Sequence, residues 1–180
     1  MRILKALLSI FAIFAINSTL YAKSAEVINQ EVNASLKLFN KEVKGSDIFL
    51  AKSVKGYLVF PEVVKAGIGI GGEYGEGALI VDGKTIQYYS TASASIGLQF
   101  GVQTKAILIA FLTDKALNNF QKNNGWKVGV DGSVAIIKWG TGQDISNATF
   151  NKPVIGFVYG NKGLMYNLTI EGSKFTKIVR

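Results

Sequence analysis

The tract Gly67-Ile-Gly-Ile-Gly-Gly-Glu-Tyr-Gly-Glu-Gly77 limits what this chain can fold into more than any other segment. Gly67, Gly69 and Gly72 have the G-x-G-x-x-G spacing of a dinucleotide-binding loop. Such a loop works only where a helix opens at its last glycine and points its N-terminus at the pyrophosphate. Here Glu73, Tyr74, Gly75, Glu76 and Gly77 follow instead. Gly71, Gly75 and Gly77 around two glutamates make a poor first helical turn, and two carboxylates repel a phosphate. The expectation is that no nucleotide binds. The glycines are read instead as small residues on a strand, where another backbone or a bulky side chain comes close.

The rest of the chain divides at Gly56. Before it, Ala25 to Lys44 carries apolar residues at Ala25, Ile28, Val32, Leu36, Phe39 and Val43, the period of an amphipathic helix. Lys37, Lys41 and Lys44 fall at i, i+4 and i+7 and predict one exposed basic stripe. Gly45 is a natural stop, and a short second helix is expected over Asp47 to Ala51 with Ser46 as its cap. After Gly56 the period shifts towards two, with β-branched and aromatic residues between glycines. Tyr57 to Phe60 predicts a short strand ending at Pro61, with a turn of helix over Glu62 to Ala66. Asp82-Gly83 predicts a hairpin between Ala78–Val81 and Thr85–Tyr89. Two strands are expected over Ser93–Val102 and Lys105–Leu112, then a helix from Thr113 or Asp114 to Lys122. Asp131-Gly132 is read as a hairpin joining Trp126–Val130 to Ser133–Trp139. Gly160 to Gly163 is read as another, joining Val154–Tyr159 to Leu164–Ile170. Lys174 to Val179 is expected as a last edge strand. Tight turns imply antiparallel neighbours. The fold class is therefore α+β: a curved antiparallel sheet, open or barrel-like, with an N-terminal amphipathic helix, one short mid-chain helix, and the helices on one side.

Of the 180 residues, 48% are hydrophobic and 18% charged, a globular composition. Met1 to Ala22 reads as a signal peptide: Arg2 and Lys5, the apolar run Ala6 to Ile16, then Thr19-Leu-Tyr-Ala22. The run is short of the ~20 residues of a membrane span. Residues 23–180 are then expected to form a single exported domain. The formal net charge is +8, which favours anionic partners. The chain has neither Cys nor His. Disulfides, the usual zinc sites, Cys nucleophiles and His bases are thereby excluded.

Several segments resemble the SYLF domain family in their order. They are Gly56-Tyr-Leu-Val-Phe-Pro-Glu-Val-Val-Lys-Ala-Gly67, Gly71 to Gly77, Tyr88-Tyr-Ser-Thr91, Gly97-Leu-Gln99, Leu112-Thr-Asp114, Gly125-Trp126, Gly129 to Val134, Asn151-Lys-Pro-Val154 and Lys162-Gly-Leu-Met165. The resemblance spans roughly residues 30 to 180 and is greatest to exported bacterial members. It implies affinity for membranes: eukaryotic SYLF domains bind phosphoinositide-rich surfaces and some bind actin. For an exported relative, the property carried over is affinity for anionic phospholipid surfaces. The lipid-binding residues expected are Lys37, Lys41, Lys44, Lys52 and Lys55.

Glu73 and Glu76 are the one closely spaced carboxylate pair in a glycine-rich setting. They are read as an acid/base pair or cation site, or as polar strand-end residues bonded to backbone amides, the latter preferred. Tyr88, Tyr89, Trp126, Trp139, Tyr159 and Tyr166 are expected in core and cross-strand pairs rather than on a stacking platform. The chain is thus expected to be a non-enzymatic protein of the cell envelope, without cofactor or metal, peripheral on anionic lipid. The alternative is a structural or protein-interaction module that binds another envelope protein. Nucleic acid is not an expected partner.

Overall fold

A computed structural model describes residues 22–137, 144–146, 148–162, 170 and 172–180. All of the expected signal peptide but Ala22 therefore lies outside the described residues, as do Trp139, Tyr166 and nearly all of the expected strand Leu164–Ile170.

Helix α1 (Ala25–Glu42) starts where the periodicity places it but stops two residues short of Lys44, which therefore lies beyond the helix. The Ser24 hydroxyl caps it by accepting from the Val27 N–H at 3.3 Å. Ile28, Val32, Ser35 and Phe39 form its buried face. Ser35 is tolerated there because its hydroxyl lies 2.8 Å from that of Tyr159. The helix ends as Val43 turns extended and Gly45 adopts a left-handed φ of 75°. Helix α2 (Ser46–Lys52) follows, with Gly45 in the cap position. Ser46 is thus not the cap; its hydroxyl donates instead to Asn40 Oδ1 at 2.7 Å, tying α2 to α1.

Strands β1 (Gly56–Val81) and β2 (Lys84–Phe111) make one long antiparallel hairpin around Asp82-Gly83. Both turn residues have positive φ, 50° and 73°, the geometry of a tight hairpin turn. Pro61 does not end the strand and no helical turn follows it. A register shift between Phe60 and Val63 accommodates the missing N–H. The strands expected over Ser93–Val102 and Lys105–Leu112 are likewise one element. The hairpin is too long to stay flat, and β1 doubles back on itself: Gly67 lies against Gly71. A β-carbon on Gly75 would sit 2.6 Å from the Glu62 carbonyl oxygen, and one on Gly77 would meet that of Val59. The glycine tract is thus the close backbone approach that its composition suggests.

Helix α3 (Asp114–Lys122) starts at Thr113, whose hydroxyl accepts from the Ala116 N–H at 3.2 Å. The remaining strands are β3 (Gly125–Lys127), β4 (Ala135–Ile136), β5 (Val154–Lys162) and β6 (Lys174–Ile178). Among the described residues the sheet has six strands in the order β3-β6-β2-β5-β4, with β1 also on β2. It is curved, and antiparallel except for the β4–β5 pair. Asp131-Gly132 does not join a hairpin. The Asp131 carboxylate accepts from the Lys127 N–H at 2.7 Å and closes a local loop, so β3 and β4 go to opposite ends of the sheet. Nor is β6 an edge strand, since it pairs with both β2 and β3.

The sheet is covered on both faces, not one. Val59, Ala106, Leu108 and Ala110 pack with Ile28, Val32, Phe39 and Phe49 of α1 and α2. Their neighbours Leu58, Phe60, Ile107, Ile109 and Phe111 pack with Leu117 and Phe120 of α3, together with Trp126 and Phe175. Alternation thus puts apolar side chains on both faces of the central strands. Tyr89, Trp126 and Tyr159 are buried in these cores, as expected of aromatic pairs.

Candidate functional site

The five expected lipid-binding lysines lie on the N-terminal helical layer and in the segment leading to β1. Lys37, Lys41, Lys44, Lys52 and Lys55 are all exposed. The α1 face opposite them carries Ile28, Val32 and Phe39 into the core, which leaves the amine-bearing face free to meet another surface. Lys44 lies 3.8 Å from Asp144, and Lys55 lies 3.9 Å from Asp114. Exposed pairs this long contribute little. Lys37, Lys41 and Lys52 make no ion pair among the described residues.

A groove of about 420 Å³ runs between this helical layer and the β1–β2 turn, lined in part by Leu36, Asn40, Asp47, Leu50, Lys55 and Asp82. Two acids against one lysine make it a poor anion pocket. The lysines therefore present an open basic face rather than lining this groove as a headgroup site.

Glu73 and Glu76 fall into two separate ion-pair networks. Glu73 is buried with both oxygens engaged, Oε2 at 2.9 Å from Lys105 Nζ and Oε1 at 3.3 Å from Lys65 Nζ. Glu76 is also buried, and its Oε1 accepts from the Tyr74 hydroxyl at 2.8 Å and from the Arg180 guanidinium. Burial and the neighbouring Glu76 carboxylate push the Tyr74 hydroxyl up to about 12. Neither network had a signal in local sequence. Lys105 is on β2 and Arg180 lies past the end of β6, and only the doubling back of β1 brings Lys65 to Glu73. Among the described residues no three carboxylates gather to hold a metal ion.

Beside Glu76, a second cleft of about 420 Å³ is lined by Ala22, Lys23, Glu62, Val64, Tyr74, Gly75, Glu76 and Arg180. Lys23 lies within 2.7 Å of Glu31, so α1 is tied at its start to this rim.

Residues 92–178 match the family described as Ysc84: Las17-binding protein actin regulator. The matched segment runs from the middle of β2 through β6, so the glycine tract of β1 precedes it. No curated protein matches the chain. Over residues 92–178 the chain thus matches the model of the Ysc84 (SYLF) domain family, the family that its motifs resemble.

Proposed function

We propose that this is an exported, non-enzymatic protein of the cell envelope that associates peripherally with anionic phospholipid surfaces. The observation that carries this reading is the exposed set Lys37 and Lys41, on a helix whose other face is anchored in the core, with Lys44 just past its C-terminus. A basic helix fixed in this way can lie on a charged surface without unfolding anything. Each lysine near an anionic bilayer contributes about 1 kcal/mol, and the attraction fades as salt shortens the screening length. The formal charge of +8 acts in the same direction. Glu73 is committed at both oxygens to Lys65 and Lys105, and Glu76 at Oε1 to Arg180, which counts against reading the two as an acid/base pair. The test is co-sedimentation of the purified protein with vesicles of different headgroups. Binding to phosphatidylglycerol vesicles at low salt, lost at high salt, is the expected result. Indifference to vesicle charge overturns the reading.

A second reading is a protein-interaction module. It is favoured by the family description, which names a Las17-binding protein. Capture of a specific envelope protein, with no binding to any vesicle, would make it the better account.

A further inference from the structure

The bend midway along the β1–β2 hairpin, where β1 doubles back, has its polarity reversed. From Ala66 to Gly72 and from Ala92 to Thr104 the paired strands contain no charged residue. The charges that border this stretch, Lys65, Glu73 and Lys105, are buried with one another inside the fold. On the outside, Ile70 is 72% exposed, Val102 67%, Tyr74 45% and Val64 38%. A strand pair standing in water places apolar residues inside and charges outside. The opposite arrangement is that of strands facing lipid.

The next row back is basic. Register aligns Tyr74 with Ala92, Ala92 with Lys174, and Lys174 with Lys127 across β1, β2, β6 and β3. All four residues are exposed, so they share the outer face. Lys127 and Lys174 stand directly opposite each other, an unfavourable like-charge pair. Neither makes an ion pair among the described residues. An anionic surface would turn that repulsion into attraction, whereas a second copy of a chain of charge +8 would add to it. Tyrosine suits the boundary between headgroups and acyl chains. From Tyr74 to Ile70 an extended strand reaches at most about 13 Å. That is enough to enter the acyl boundary and far short of the ~30 Å needed to cross a bilayer.

We infer that the bend of the β1–β2 hairpin, where β1 doubles back, is a membrane-inserting tip. Ile70 and Val102 enter the acyl boundary of an anionic bilayer, and Tyr74, Lys127 and Lys174 form a collar among the headgroups. The inference rests on the lipid-surface reading above and adds to it an apolar anchor on another element, remote in sequence from the helical lysines.

The chain has no cysteine, so Ile70→Cys carrying an environment-sensitive fluorophore reports from the tip alone. The probe membranes are vesicles of phosphatidylglycerol and phosphatidylcholine in equal parts, with sedimentation measured in parallel. The expected result is a blue shift on binding, quenched by lipids brominated on their acyl chains. Ile70→Ser combined with Val102→Ser should lower partitioning roughly tenfold or more. The melting midpoint should not change, since both side chains are exposed. Sedimentation with an unchanged label, or a double variant that partitions like wild type, overturns the tip and leaves the lipid-surface reading standing. Absence of sedimentation at low salt overturns both. A blue shift without lipid that grows with protein concentration also overturns the tip, because the apolar end would then be a contact between copies.

Discussion

Lys105 Nζ lies 2.9 Å from Glu73 Oε2, with both side chains more than nine-tenths buried. Lys65 reaches the other oxygen of the same carboxylate. One acid thus holds two buried ammonium groups. Removing it takes this carboxylate from both, and breaking a buried ion pair costs about 3–5 kcal/mol. Glu73→Ala should therefore be strongly destabilising in urea unfolding. Lys65→Met keeps the Lys105–Glu73 pair and should cost clearly less. Equal losses from the two variants would mean that the carboxylate is not the centre of the network.

Close backbone approach makes a second prediction. Gly77 lies against Val59 and Phe60, so Gly77→Ala forces strand backbones apart. Overpacking of this kind costs roughly 1–3 kcal/mol. For Gly72 the nearest atom to an added β-carbon is the Ser93 carbonyl oxygen at 3.7 Å, an ordinary contact. Gly72→Ala should leave the thermal midpoint nearly unchanged. If the two variants melt alike, the glycines are not there for the approach.

The alkaline limb of stability should report buried tyrosines. Burial pushes the hydroxyls of Tyr89 and Tyr159 up to about 12 from 10.0. The folded state therefore holds these protons after the unfolded state has lost them. Stability is complete below pH 10 and falls between about pH 10 and 12, by up to ~1.4 kcal/mol per pH unit for each group. Tyr159→Phe loses the contact with Ser35, so it starts less stable, but its decline over that window should be shallower. A slope identical to wild type would show that Tyr159 ionises equally in both states.

What the sequence showed and what it hid follow from distance along the chain. Helix α1, its lysine row, the Asp82-Gly83 turn and helix α3 are set by residues within four or five positions of one another, and each was legible. Pro61 misled because its local meaning is a strand end, whereas a bulge lets the strand continue. Asp131-Gly132 misled because a turn dipeptide does not say which strands will pair, and here the loop closes on Lys127. The Lys65–Glu73–Lys105 network and the row Tyr74, Ala92, Lys174 and Lys127 depend on non-local register. No window of sequence contains either of them.

The helical lysines give the last prediction. Lys37, Lys41 and Lys44 are exposed, and none supports the core through its side chain. Replacing all three with glutamate inverts the stripe and should leave the melting midpoint within about 0.5 kcal/mol of wild type in stability. Lys44 gives up only a loose pair with Asp144, 3.8 Å away. At low salt, binding to anionic vesicles should drop by orders of magnitude, since about 1 kcal/mol per lysine is lost and repulsion takes its place. Binding to neutral vesicles should change little. Raising the salt should narrow the gap between the two proteins as the Debye length shrinks to ~8 Å and below. A triple variant that still binds anionic vesicles as well as wild type would move the contact away from α1. The collar of Lys127 and Lys174 would then be the surface to reverse next.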